Sequence, residues 1–173
     1  MPLPRFPFPA VATVFLLYSA CAACAHADTL PPSPQSPWSL DLSLASWHTR
    51  AWARKTLNQI NPGIGVEYQW SSDWGALGGF YRNSYRKPTL YALAAWTPLH
   101  FSLPAGAGIS ASAGFAAGMV SGYTRPEVAT EPLAGGVVLR IRGRSGVGLN
   151  FLAVPNTVSG SGFVGVQFVL PLP

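Results

Sequence analysis

His48 and Ser84 are the residues from which chemistry could be built in this chain. An imidazole that takes a proton from a serine hydroxyl, or from the hydroxyl of a substrate, is the usual machinery of acyl transfer. Neither residue says much alone, because a lone His is more often structural and Ser is common in turns. The pair matters only if folding brings both to one place. Few other groups compete. His100 stands beside Pro98 in an expected turn and reads as interfacial. The acids Asp28, Asp41, Glu67, Asp73, Glu127 and Glu131 show no metal-ligand spacing. Cys21 and Cys24 both fall in the N-terminal apolar segment, so no disulfide, no Cys-ligated metal and no cofactor is expected in the rest of the chain.

The elements that must position this pair read as β-strands. Residues 1–27 have the form of a cleaved secretory signal: Arg5, an apolar stretch from Ala10 to Ala25, and the small-x-small site Ala25-His26-Ala27. An uncleaved anchor, or a lipoprotein processed at Cys21 or Cys24, are the alternatives. Residues 28–37 are Pro-rich and suit an extended lead-in. Residues 38–173 then hold one domain with little charge. Charged residues make up 10% of the chain, well below the roughly 25% of soluble domains. No apolar run after residue 27 is long enough for a spanning helix, so the composition points to a membrane barrel, not a helical bundle. The net charge of +5 suits lipid phosphates better than nucleic acid in an exported protein.

Period-two alternation divides the domain into eight strands: 38–52, 63–70, 74–82, 89–96, 107–123, 132–142, 147–154 and 162–170. Trp38, Leu40, Leu42 and Leu44 share one face of the first, with Ser39, Asp41 and Ser43 on the other. The phase blurs near Ala45 to Trp47, which predicts a bulge. Pro98 to Pro104 reads as a turn. Gly108, Ser110, Ser112, Gly114, Gly118 and Gly122 give the fifth strand a small-residue face suited to a narrow lumen. Aromatics near strand ends read as interfacial girdles. The expected fold is therefore all-β, an eight-stranded antiparallel transmembrane barrel of a bacterial outer membrane. Both termini then face the periplasm, and the links after strands one, three, five and seven face outward. His48 and Ser84 share that outer rim. Arg140, Arg142 and Arg144 are expected on the periplasmic rim, near lipid headgroups. Glu67 is the only acid expected on a lumen-facing position in mid-strand.

Several short stretches, in order, resemble the lipid A palmitoyltransferase (PagP-type) barrels. Ser46-Trp47-His48-Thr49-Arg50 looks like that family's Trp-His-x-Arg segment. Asn61 to Trp70 resembles its Gly-rich second strand, Phe80 to Lys87 its third strand and following loop, and Trp96 to Leu99 the end of its fourth strand. Val154-Pro155-Asn156 resembles its Pro after strand seven. The resemblance implies transfer of a palmitoyl chain from a phospholipid to lipid A, or to phosphatidylglycerol, by an outer-rim His and an Asp-Ser pair. His48 and Ser84 fall on two of these positions. The third is Asn83 in place of the family's Asp, and Asn can orient a group but cannot act as a base. Prolines that open lateral lipid gates match Pro132 and Pro155, and the family's N-terminal amphipathic helix has no counterpart in residues 28–37.

The resulting expectation is a monomeric acyltransferase with catalytic His48, Asn83 and Ser84, a phospholipid donor and a lipid A or phosphatidylglycerol acceptor. A non-catalytic small barrel with a structural or binding role is the alternative. A lipid A deacylase is a third reading, but it would use a close His-x-Ser arrangement on one strand plus an acid, and no expected strand shows one.

Overall fold

Along each strand alternate side chains face inward, the other set, mostly large and apolar, faces outward, and the strands close on one another. The computed structural model describes residues 36–102, 108–128, 130–157 and 160–173. The signal-like segment 1–27 and most of the lead-in lie outside the described residues. The strands are β1 (Trp38–His48), β2 (Ile60–Gln69), β3 (Trp74–Arg82), β4 (Pro88–Ser102), β5 (Ser110–Val120), β6 (Leu133–Arg142), β7 (Gly148–Val154) and β8 (Phe163–Pro171). A short helix, α1 (Ala51–Thr56), follows β1. Each strand pairs antiparallel with its sequence neighbours, and β1 pairs with β8, so the barrel is closed. Closure gives every strand a partner on both sides, so the exposed edge of an open sheet is confined to short unpaired stretches at one rim.

Two boundaries differ most from the sequence reading. The first strand stops at His48, and the next residues fold into α1 instead of continuing to Trp52. The expected turn at Pro98 is absent. β4 runs through it to Ser102, with a register shift between Trp96 and Leu99 that absorbs the missing N–H.

One rim carries α1 and the links after β3, β5 and β7; the opposite rim carries the turns after β2, β4 and β6 and the ends of β1 and β8. On the helix-bearing rim two ladders stop short. The β6–β7 ladder begins only at Val137↔Ala153, so Leu133 to Gly136 pair with β5 alone. The β2–β3 ladder begins at Gly63↔Tyr81, leaving Ile60, Asn61 and Pro62 without strand partners on β3. Pro62 and Pro155 sit at these gaps and have no N–H to extend either ladder.

The outer surface is apolar. Trp47, Ile60, Leu90 and Phe115 are each more than 60% exposed. Trp38, Tyr68, Trp70, Trp74 and Trp96 cluster near the terminal rim, with Trp38 packed on Tyr68 and Trp74 on Trp96. His100 lies on β4 near the same rim, and its Nε2 is 2.8 Å from Asp73 Oδ1. That contact, with a second from Ser72, holds the Asp73 carboxyl below its ordinary range.

The lumen overturns two expectations. Arg140 and Arg142 are not on the rim among headgroups; both point inward and close ion pairs with Glu67, at 3.1 Å each. Asn150 Nδ2 donates to Glu67 Oε2 at 2.9 Å, and Arg140 Nη1 donates to Gln69 Oε1 at 2.6 Å. Nor is Glu67 the sole acid there. Asp41 is fully buried on the same interior, as its place opposite Gly65 and Val169 dictates. The physical reason is parity: positions 140 and 142 share the inward phase of Val138, so the last turn of the ladder carries them into the barrel. The lower half of the lumen is thus a polar plug, and the upper half is apolar, built on Leu77, Tyr91, Ala95, Ala116, Val120 and Val138.

Candidate functional site

A bulge puts His48 inside the barrel. Before it, Asp41 and Ser43 point inward. The register of β1 shifts between Ser43 and Ala45 against both β2 and β8. After the shift, the even positions Ser46 and His48 point inward and are buried, while Trp47 is exposed. Unbroken alternation from Asp41 would have sent Ser46 and His48 outward with Leu42 and Leu44. The extra residue predicted near Ala45 is therefore what creates the site.

Three links hold this end of β1. Arg54 of α1 donates to the carbonyls of His48 and Thr49, at 2.9 and 2.6 Å, and lies over the Trp47 ring. Thr49 Oγ1 donates to Asn156 Oδ1 on the link after β7. Arg50 Nη2 donates to Thr157 O on the same link. The His48 ring meets Gln59, with Nδ1 2.9 Å from Gln59 Oε1, and rests near Phe163.

Beside it lies a chain of neutral polar groups. Ser46 Oγ donates to Asn61 Oδ1 at 2.7 Å, and Asn61 Nδ2 donates to Arg82 O. Ser84 Oγ lies 3.4 Å from Ser46 Oγ. The single hydroxyl proton of Ser46 is given to Asn61, so any bond between the serines is donated by Ser84, and at this length it is weak. Folding therefore brings Ser84 to the inward face of β1, but its direct neighbour is Ser46. Among the described residues no hydrogen bond joins Ser84 to His48.

Asn83 has a different place. It is fully buried, and its amide is spent on the loop that carries Ser84. Nδ2 donates to Thr89 Oγ1 and to Gly122 O, both at 3.0 Å, while Oδ1 accepts from the backbone N–H groups of Tyr85 and Lys87. A carboxylate would keep the two acceptor bonds but turn an oxygen on the Gly122 carbonyl. Asn83→Asp, which installs the acid of the resembled family, is therefore expected to lower stability by about 1–3 kcal/mol and not to raise any acyl transfer. Paired urea titrations and transfer assays would read both parts.

The Ser46–Ser84 chain stands at the edge of an apolar cavity of about 140 Å³. Leu77, Leu93, Ala116, Val138 and Leu152 form its walls, and Ala134, Gly135 and Val154 border it where the β6–β7 ladder is unmade. Its floor is Tyr91, whose hydroxyl accepts from Gln167 Nε2 at 3.1 Å. Gly65 is small for this reason, since a Cβ there would sit 2.3 Å from that hydroxyl. The link after β5 covers part of the cavity with Val128. It is strapped to the Ser84 loop by Lys87 Nζ, 2.8 and 3.0 Å from the two oxygens of Glu127.

Partial burial pushes the Glu127 carboxyl up, but Lys87 and the Thr124 N–H outweigh it and leave it below its usual value of 4.5. The strap therefore contributes fully above pH 4.5 and is lost as pH falls through the depressed folded value. A carbon-detected NMR titration should place Glu127 below 4.5, and Lys87→Met should move it upward.

No protein-family model matches this chain, and no curated protein is similar to it. The geometry must carry the functional reading unaided. The sequence reading named His48 and Ser84 but not Ser46, Asn61 and Gln59, which the fold places beside them. Ser46 had a signal, since it sits two positions from His48 beyond the predicted bulge. Gln59 had none, because its place depends on the unexpected helix.

Proposed function

We propose that the chain is an outer-membrane acyltransferase that moves a fatty acyl chain from a phospholipid to lipid A or phosphatidylglycerol, working as a monomer. The observation that carries this reading is the apolar cavity with the Ser46–Ser84 hydroxyl chain at its edge, and the His48 imidazole two residues further along the same inward face of β1, beside Phe163 of the cavity wall. An apolar slot of this kind takes a hydrocarbon tail, and the polar groups then stand where the ester would lie. Insertion in a bacterial outer membrane is supported by the apolar exterior and the aromatic cluster near one rim. The unmade stretches of ladder beside Pro62 and Pro155 offer lipid tails a lateral way in.

In the proposed reaction His48 takes the proton of the acceptor hydroxyl as that oxygen attacks the acyl carbonyl carbon. The ester bond to the donor breaks, and the proton passes to the departing glycerol oxygen. Ser84 supplies its hydroxyl proton to the carbonyl oxygen as charge develops on it, and Ser46 joins it by turning its proton from Asn61 to that oxygen. Asn83 acts at one remove by fixing the Ser84 loop.

Ala116→Phe tests the slot. The added ring fills the cavity without touching the polar groups, so it should reduce transfer of long acyl chains at least tenfold in detergent micelles while the barrel stays folded. Undiminished transfer would contradict an acyl-binding lumen.

A specific observation favours the second reading, a non-catalytic barrel: the Glu67–Arg140–Arg142 plug supplies the charged lumen that such barrels use. That reading predicts no transfer by the unaltered protein under any lipid composition.

A further inference from the structure

We propose that Gln59 is the positioning residue of His48, holding the imidazole with its proton on Nδ1 so that Nε2 is the basic nitrogen. The role rests on reading His48 as the base, but its structural half stands apart from that reading.

The orientation of the Gln59 amide is fixed by its surroundings. Oε1 receives the backbone N–H of His48 at 3.2 Å, so this atom must be the oxygen. Nε2 donates to Leu57 O at 2.9 Å and, more weakly, to Ala53 O at 3.4 Å. Turning the amide over would set an NH₂ against a backbone N–H and an oxygen against two carbonyls. The atom 2.9 Å from His48 Nδ1 is therefore an acceptor with no proton to give. The neutral imidazole can complete this bond only by carrying its proton on Nδ1, which leaves the Nε2 lone pair bare. A second-partner bond of this kind is how a base is kept in one tautomer.

The main chain locks the arrangement. Ser46 N donates to Gln59 O at 2.8 Å, tying the residue to β1 opposite the bulge. The carbonyls that orient the amide belong to α1 and its C-cap: Leu57 N bonds Ala53 O at 2.9 Å, and Ala53 is fully buried. This gives α1 a purpose that packing alone does not. The helix places two carbonyl oxygens where only an amide donor can meet them, and so aims the opposite end of Gln59 at His48. Gln59 is neutral, so it sets the tautomer without bringing a second charge into the lumen edge.

The test is the imidazole spectrum of the full barrel in detergent micelles, labelled with ¹⁵N at histidine, at a pH where the ring is neutral. His100→Gln identifies the His48 signals. The unaltered protein should show a protonated Nδ1 and a bare Nε2. Gln59→Leu removes the acceptor and should shift the ring to a mixture in which Nε2 is mainly protonated. Gln59→Glu keeps an acceptor and should retain the Nδ1 proton. Transfer by Gln59→Leu should fall about tenfold or more through kcat, with KM unchanged. A protonated Nε2 in the unaltered protein, or an unchanged tautomer in Gln59→Leu, overturns the proposal. Should Gln59→Leu fail to fold, the spectra of the unaltered protein and of Gln59→Glu still decide it. The expected spectra without any transfer by the unaltered protein would sustain the positioning by Gln59 and defeat the acyltransferase reading alone.

Discussion

Glu67→Ala is expected to destabilise the barrel by about 3–5 kcal/mol, because it strands two guanidinium groups inside the lumen. Glu67 is the carboxylate that both Arg140 and Arg142 reach, at 3.1 Å each. The nearest other acid, Asp41, has neither oxygen in a hydrogen bond among the described residues, so it does not replace Glu67 as a partner. Arg140 would retain Gln69, and Arg142 would retain Asn150 and two carbonyls, but neither would be hydrogen-bonded to a carboxylate. Urea unfolding in lipid vesicles, followed by tryptophan emission, reads the loss directly. Glu67→Gln, which keeps an acceptor, should cost less. Combining Glu67→Leu with Arg140→Met and Arg142→Met should recover much of the stability, since apolar replacement of a whole buried ion pair is often neutral. A loss under about 1 kcal/mol for Glu67→Ala would mean that water reaches the arginines and that the network is not the plug described above.

His48→Ala carries the largest expected effect on activity. If the imidazole takes the acceptor proton, its removal should lower kcat for acyl transfer by about 10²–10⁴-fold. KM for the phospholipid should change little, because the proposed reaction assigns the tail to the apolar cavity walls and not to His48. Ser84→Ala should be milder, since Ser46 presents a second hydroxyl 3.4 Å away. The double variant Ser46→Ala/Ser84→Ala should lose more than the product of the two singles, as groups that share one task are not additive. Equal kcat in His48→Ala and the unaltered protein would remove the base from the mechanism. The buried ring would then be one more packed interior group.

These two residues show how much the sequence could tell. Strand number, antiparallel order and the inward-outward split follow from period-two alternation, and β1 pairing with β8 closes the barrel that the alternation implies. Glu67 was legible as an inward acid because Gly63, Gly65, Glu67 and Gln69 share a phase. Its arginine partners were not, because Arg140 and Arg142 lie near the end of β6 and beside a turn, where charge ordinarily faces water. Their inward direction is a matter of register, which one residue of slippage reverses. His48 was legible as a rim residue and its bulge was foreseen at Ala45, but the consequence of the bulge for direction needs pairing on both sides of β1. Asn83 reads from sequence as a degraded catalytic acid. In the fold it is a loop residue with every hydrogen bond made, which the spacing of Tyr85, Lys87, Thr89 and Gly122 could not announce. Gln59 depends on α1, six residues without a side-chain N-cap bond, set into what alternation reads as strand and link.

Mass spectrometry of lipid A and phospholipids, extracted from a Gram-negative outer membrane that carries this chain, tests the central claim most directly. A membrane carrying His48→Ala at the same barrel level is the comparison. The account predicts that lipid A or phosphatidylglycerol gains the mass of one long acyl chain, that lysophospholipid accumulates in step, and that both signals vanish with His48→Ala. Unchanged lipid masses in the presence of a folded, membrane-inserted barrel would contradict it and leave the non-catalytic barrel as the better description.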